Sequence, residues 1–359
     1  MMFPWLTEGV INIQLWQRRN TQTQLNRCLE LENMSDEALA LDIDNIITDS
    51  DLDGVVTGAI LRRWWPNAKI TFGHPGNLRA GMMDHLIDRK TAICDLPRHP
   101  SCGLSIDHHQ SNAPLDEENS DMVVLWEPTP SAARIAYNIL KDKIDLTDLT
   151  EMMIWVDKLD GGAISIEDFM GNNPVLWLGR IIGDEEEITK IILEKIQRGI
   201  SVEEILLIPK INKKLEERTN KQIFLSNIIS KNIQIIDRLA IARLENLKIR
   251  SNGYHVTAIA GNDCDACLVI HGDTGAGFNE EGSYPVSASF YTNSFIHKSG
   301  GVFDLTKLAT KFDNDGGGHA NACGCRIKPI SRGIVENRGV VEQDIEKNIK
   351  EWLNMWSQR

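Results

Sequence analysis

The chain has 359 residues, 42% of them hydrophobic and 25% charged, with a formal net charge of −13. That length exceeds one compact core and fits two domains plus a connector, and no stretch approaches the roughly 20 apolar residues that span a bilayer. The acidity argues against a protein that tracks long nucleic acid on a basic stripe, but it leaves small phosphorylated substrates open, because a metal site brings its own positive charge.

The opening MMFPWLTEGV lacks the charged-then-apolar layout of a signal peptide, so a soluble, cytoplasmic protein is the expectation. Seven cysteines in such a chain read as reduced thiols. Two close pairs, Cys264/Cys267 and Cys323/Cys325, could share a structural zinc only if the fold joined them. Packing as small apolar residues beside strands is the expected role.

In chain order, residues 21–41 read as an amphipathic helix. IDNIITDSDLDG then gives an apolar strand ending in acids and a glycine, followed by VVTGAILRRWW at helical spacing. Further strands end at Ile93-Cys94 and at Leu104-Ser105-Ile106, and helices follow over about 131–140 and 148–156. Such alternation argues for a parallel sheet, whose ligands sit beyond the carboxyl ends of the strands. From about Asp184 to Leu247 the pattern is charged and aliphatic at helical spacing, a helical connector with a break near Ile208-Pro209. After Ile249 the segments YHVTAIAG, CLVIHGD and PVSASFYTN read as strands. A helix over 304–312 precedes DGGGHANACGCRI, and a terminal helix runs over about 340–356.

Four clusters along the first half carry chemistry. In Asp49-Ser50-Asp51-Leu52-Asp53-Gly54, three carboxylates at alternate positions repel one another unless a cation lies between them; alone, the motif also fits a solvated or calcium-type loop. Asp95 closes the strand KTAIC, where a lone Asp is usually a helix N-cap. Asp107-His108-His109 closes the strand LSI, and adjacent histidines there can serve two different groups. In WVDKLDGG either Asp157 or Asp160 could face inward, and Asp157, directly after MMIWV, is the favoured one.

In order and spacing these motifs resemble the DHH phosphoesterase superfamily, which includes RecJ-type exonucleases, nano-RNA and pAp phosphatases, cyclic-dinucleotide phosphodiesterases and a class of pyrophosphatases. The match covers residues 49–157, and Gly316-Gly317-Gly318-His319 resembles the family's C-terminal associated domain. The resemblance implies an α/β fold: an N-terminal parallel-sheet catalytic domain (1–183), the helical connector (184–247) and a smaller C-terminal α/β substrate-binding domain (248–359) that closes over the cleft. It implies two divalent ions, manganese first and magnesium second. Asp51 and Asp53 would bind one each, Asp95 would bridge them, and His108 and Asp157 would complete the site. His109 would face the scissile phosphate and, with Asp107, form the catalytic pair. Family members of the small-substrate kind carry a histidine where Ile47 stands; the D-x-D-x-D-G form looks RecJ-like and adds Asp49 as a ligand, directly or through water.

In the second domain, Gly316, Gly317 and Gly318 would let the backbone approach a phosphate or base, with His319 contacting it. The family's S-x-R-S-like strand corresponds to Ser289-Phe290-Tyr291-Thr292, without the arginine, and Lys298 is a nearby substitute. Trp64, Trp65, Trp155 and Trp177 read as core, while His74 and Arg79 in FGHPGNLRAG are candidates for the cleft wall.

The expected activity is two-metal hydrolysis of phosphodiester bonds in short single-stranded oligonucleotides, as an exonuclease or nano-RNase. A pAp or cyclic-dinucleotide phosphodiesterase is the alternative within the enzyme class, and a non-catalytic scaffold in a nucleic-acid assembly is the alternative outside it. No membrane partner is expected, and self-association stays open.

Overall fold

The computed structural model describes residues 33–114, 121–247, 249–272 and 287–359. Of the helix expected over 21–41, residues 33–39 are helical; residues 21–32, and Cys28 with them, lie outside the described residues. The chain divides into two compact units, residues 1–161 with 174–212, and residues 162–173 with 213–359.

The first unit is built on a five-stranded, all-parallel sheet of β1 (Asn45–Asp49), β2 (Lys69–Gly73), β3 (Thr91–Cys94), β4 (Leu104–Asp107) and β5 (Val123–Trp126), in the order β2-β1-β3-β4-β5. Strands β3 and β4 are buried along their whole length, as continuous apolar runs in a two-sided parallel sheet should be. The chain leaves β1 in one direction towards β2 and resumes on its other flank at β3. That makes the β1/β3 edge the topological switch point, where the carboxyl ends of parallel strands open a crevice.

Helix α1 (Leu52–Trp64) starts straight out of β1. Asp51 is its N-cap, accepting the Gly54 amide, and Arg62 and Arg63 in its last turn suit the negative end of the helix dipole. Every residue from Leu52 to Leu61 is buried. Gly54 is required by that tight exit: a Cβ there would stand 2.4 Å from the Asp49 carbonyl oxygen. Helices α2 (Ala132–Leu140), α3 (Thr150–Asp160), α4 (Pro174–Ile181) and α5 (Glu186–Gln197) complete the unit; α1 packs against α2 and α5, and α2 also lies on β4.

Helix α6 (Pro209–Lys231) carries the chain from one unit to the other. Beyond it, the helical spacing read through Leu247 gives way to strands: β6 (Ile233–Ile236) and β7 (Leu239–Leu244) form a hairpin. Its two turn residues, Asp237 and Arg238, sit at φ of +45° and +61°, the primed-turn backbone that matches strand twist. Neither is the Asn-Gly or Gly-Gly that signals such a turn, so the hairpin was invisible in the sequence.

The second sheet runs β10-β11-β9-β8-β7-β6, adding β8 (Ala266–His271), β9 (Ser287–Thr292), β10 (Gly317–His319) and β11 (Ala322–Arg326). Among the described residues, β7 and β8 pair in parallel and the other pairs of this sheet are antiparallel. The segment YHVTAIA, expected as a strand, is instead the helix α7 (Gly253–Ala260), which crosses between β7 and β8. Asn252 caps it through the His255 amide, and it is buried on nearly every side, so the apolar alternation carried no information about its period. Helix α8 (Glu342–Trp356) packs Ile345, Ile349, Trp352 and Trp356 against one face of this sheet, while Ile229 of α6 and Val256 of α7 cover the other. Cys323 and Cys325 belong to the first of these clusters and Cys264 and Cys267 to the second. The sheet separates the two pairs, and all four thiols pack as apolar residues.

No helix among the described residues is long and apolar enough to cross a membrane.

Candidate metal centre

The carboxyl edge of the first sheet gathers most of the residues singled out above. Asp49 ends β1, Asp95 follows β3, and Asp107 ends β4 with His108 and His109 directly after it. Asp95 takes a left-handed backbone, φ +56°, with its amide donating to the Ile106 carbonyl at 2.8 Å. That conformation is costly for a residue with a Cβ and persists where the surroundings enforce it, as at functional sites.

His108 stands at the centre. Its Nδ1 lies 3.1 Å from the Thr129 carbonyl oxygen, which takes the Nδ1 proton and turns Nε2 into the cluster. Around that nitrogen stand Asp160 Oδ2 at 3.0 Å, Asp95 Oδ1 at 3.6 Å and Asp53 Oδ2 at 3.7 Å. Both His108 Nε2 and Asp95 Oδ1 are buried and lack any hydrogen-bond partner. Two buried, facing, unpaired donor atoms are the arrangement that a cation resolves: ligand atoms at right angles on a small divalent ion are about 3 Å apart. The residues present fit a metal. His108 has the further mark of a ligand imidazole, its second nitrogen fixed by a backbone carbonyl.

The electrostatics agree. Burial, reinforced by the charge of Asp160, raises Asp53 to about 7 even though it accepts the Ala132 and Ala133 amides at 2.7 Å each. Burial and then the charges of Asp53, Asp51 and Asp160 raise Asp95 well above the usual carboxylate range. Burial opposes charge on His108, but the nearby carboxylates of Asp160 and Asp53 outweigh it and raise the imidazole to about 9. Protons are thus held where negative charge is crowded, and a cation can replace them. Asp51 and Asp49 sit on the rim; partial burial raises both, with mutual repulsion adding at Asp51 and the charges of His74 and His109 acting against it at Asp49.

Asp107 does not face this cluster. Its Oδ1 accepts the His108 amide at 2.8 Å, the His109 amide at 3.0 Å and His109 Nδ1 at 2.8 Å, while Oδ2 accepts Asn112 Nδ2 at 2.6 Å. It folds the turn and orients the His109 ring. His109 keeps a side chain 49% exposed, its carbonyl held by Trp126 Nε1 at 2.9 Å. The Asp107 hydrogen bond raises its imidazole above the usual histidine range.

Asp157 is also placed elsewhere. Its Oδ1 accepts the Ser131 hydroxyl at 2.7 Å, and its Oδ2 accepts Arg134 Nε and Nη2 at 2.9 and 2.6 Å. It braces the first turn of α2, the same turn whose amides hold Asp53. The carboxylate that completes the cluster is Asp160, the less favoured alternative in WVDKLDGG: α3, expected to stop near Val156, runs one turn further. The Gly161-Gly162 pair, with Gly162 at φ +65°, was the available signal for that later end.

Comparison with known proteins follows this geometry. No protein-family profile matches the chain, and no curated protein matches it by sequence. Solved structures do match. The pGpG-specific phosphodiesterase PggH from Vibrio cholerae superposes with a TM-score of 0.68 at 18% identity, over 87% of this chain and 98% of that one. The chain therefore shares the fold of this phosphodiesterase. An exonuclease RecJ bound to manganese also matches, with a TM-score of 0.48 at 12% identity, over 92% of this chain and 94% of that one.

In the second unit, Gly317–His319 is the edge strand β10, paired with β11. Two of the three glycines answer to local packing. A Cβ on Gly316 would stand 2.5 Å from the Ala309 carbonyl oxygen, and Gly318 has φ +138° with the Ala322 oxygen 2.6 Å from such a Cβ; around Gly317 there is open space. His319 is exposed. Beyond the hairpin lies a cavity of about 190 Å³ lined by Tyr254, Tyr291, Thr292, His297, Lys298 and Asn321. Tyr291 and Thr292 end β9, and Lys298 shares the cavity with them.

Proposed function

We propose that this chain is a metal-dependent phosphodiesterase that hydrolyses short linear oligonucleotides, down to the dinucleotide. The observation that carries the reading is the pair of buried, unpartnered atoms His108 Nε2 and Asp95 Oδ1, 3.6 Å apart and closed in by Asp53 and Asp160. Asp53, Asp95, His108 and Asp160 would hold one divalent ion, and Asp49 and Asp51, with Asp95 between the two sets, a second. A donor set of carboxylates and one imidazole suits manganese, then magnesium. Bound ions supply Lewis acidity, activating water and offsetting phosphate charge.

The protein's own groups do the rest. Thr129 keeps the His108 ring in the tautomer that presents a lone pair to the cluster. Asp107 holds His109 so that its Nε2 can donate to a phosphate oxygen or to the leaving oxygen. In the second unit, the open flank of Gly317 with exposed His319 gives a backbone surface for a phosphate or base, and Lys298 offers a cation to a terminal phosphate in place of the arginine. Short substrates follow from a net charge of −13 without a basic track, and PggH, with which the fold is shared, acts on a linear dinucleotide.

Hydrolysis of pGpG, a 5′-labelled RNA of a few nucleotides, long single-stranded DNA, pAp and a cyclic dinucleotide, each with manganese, tests the reading. His108→Ala and Asp95→Ala proteins serve as controls. Cleavage of the short linear substrates, abolished by both substitutions, is the expected result. Manganese binding without hydrolysis of any of them would overturn it in favour of a scaffold.

A further inference from the structure

His74 is not among the residues used so far, and its placement calls for a use. Strand β2 is the edge neighbour of β1, with Asp49 in register with Gly73. His74 is therefore the first residue past the sheet edge beside Asp49, on the edge that carries the metal centre. It is exposed, and with His109 it is one of the two histidines whose charge the Asp49 carboxyl feels.

The ring has a fixed orientation. His74 caps the short helix Pro75–Arg79, its Nδ1 accepting the Gly76 amide at 3.1 Å. That acceptor role puts the proton on Nε2 in the neutral imidazole, and Nε2 carries it in the charged form too, so a donor is present at any pH. A cap alone needs only the side-chain oxygen of Ser, Thr, Asp or Asn. A histidine does the same work with one nitrogen and presents a second, protonated one.

We propose that His74 is a substrate-binding residue: its Nε2–H donates to a non-bridging phosphate oxygen at the metal centre, as a second imidazole donor beside His109. The inference rests on the phosphodiesterase reading for its place in a reaction, but its binding chemistry is measured separately. Charge-assisted hydrogen bonds of this kind are worth about ten- to a hundredfold in affinity.

The test compares wild type with His74→Asn and His74→Asp, both of which keep a capping oxygen and should leave the melting temperature unchanged. Calorimetric titration of the manganese-loaded proteins with inorganic phosphate and a nucleoside 5′-monophosphate should give affinities in the order wild type, Asn, Asp. The Asn variant should be weaker by about ten- to a hundredfold. Equal affinities in the three proteins, or no phosphate binding by wild type, would overturn the inference. If wild type binds phosphate in this His74-dependent way but hydrolyses no nucleotide, the phosphodiesterase reading falls and the anion contact stands. If wild type hydrolyses them and the variants bind equally, His74 is a cap and the inference alone falls.

Discussion

Asp160 Oδ2 lies 3.0 Å from His108 Nε2, while Asp157, one turn earlier on the same helix, is bound by Ser131 and Arg134. Two carboxylates three residues apart thus carry separable duties. Asp160→Ala should cut manganese affinity at least tenfold; in the metal-free protein it removes both the carboxylate that raises His108 and, in the opposite sense, the charge that pushes Asp53 and Asp95 up. Asp157→Ala should leave binding near wild type but cost about 2 kcal/mol through the orphaned Arg134 and Ser131. Manganese titration and chemical unfolding of the two variants read these effects apart, and the reverse pattern would restore Asp157 as the ligand.

The raised groups set a pH dependence. Asp53, at about 7, and His108, at about 9, hold protons in the folded, metal-free protein that their unfolded counterparts release at lower pH. Their stabilisation is complete below the unfolded values of about 4 and 6.5 and is lost as pH rises through the folded ones. Metal-free protein should therefore weaken between about pH 4 and 9. Manganese must displace those protons, so its affinity should climb over about pH 6 to 9. A competition titration at several pH values that returned a flat affinity would contradict the site.

Acid acts in the opposite sense on the second unit. Burial would raise Asp344, but hydrogen bonds from Arg338 at 2.6 and 2.8 Å, together with the Val341 amide and Lys347, hold it down at about 2. Its contribution is present above about pH 4 and is lost as pH falls through 2. Asp344→Asn should lower stability at neutral pH by roughly 2 kcal/mol and flatten the loss between about pH 4 and 2. Unfolding curves at pH 7 and pH 3 measure both.

The glycine run gives a contrast within three residues. Gly318→Ala should destabilise the β10–β11 hairpin, because its φ is +138° and a Cβ would meet the Ala322 oxygen. Gly317→Ala has open space and should fold normally while raising KM for a short oligonucleotide several-fold. Unchanged kinetics in Gly317→Ala would remove β10 from the substrate surface.

What the sequence disclosed follows from where the physics is local. Three of the five parallel strands, β1, β3 and β4, were legible because each is a short apolar run stopped by an acid, and those acids then had to share one edge. Gly54 was legible too, although its reason, the close pass over the Asp49 backbone, is a tertiary fact. The choice between Asp157 and Asp160 was not, since it turned on where α3 ends. The three donors that meet at one oxygen of Asp107 were not legible either, because they belong to a turn that only coordinates reveal. β6, β7 and α7 failed for a common reason: segments rich in apolar residues on every side carry no period, and the Asp237-Arg238 turn uses residues that seldom adopt positive φ.

The central claim is a two-ion centre on the carboxyl edge of the first sheet. Counting bound manganese per chain by electron paramagnetic resonance during a titration tests it most directly, with wild type beside Asp95→Asn. The account predicts two ions per wild-type chain, with a spin-coupled signal that Asp95→Asn abolishes. Absence of stoichiometric binding in wild type, or a coupled pair that survives the loss of Asp95, would contradict it.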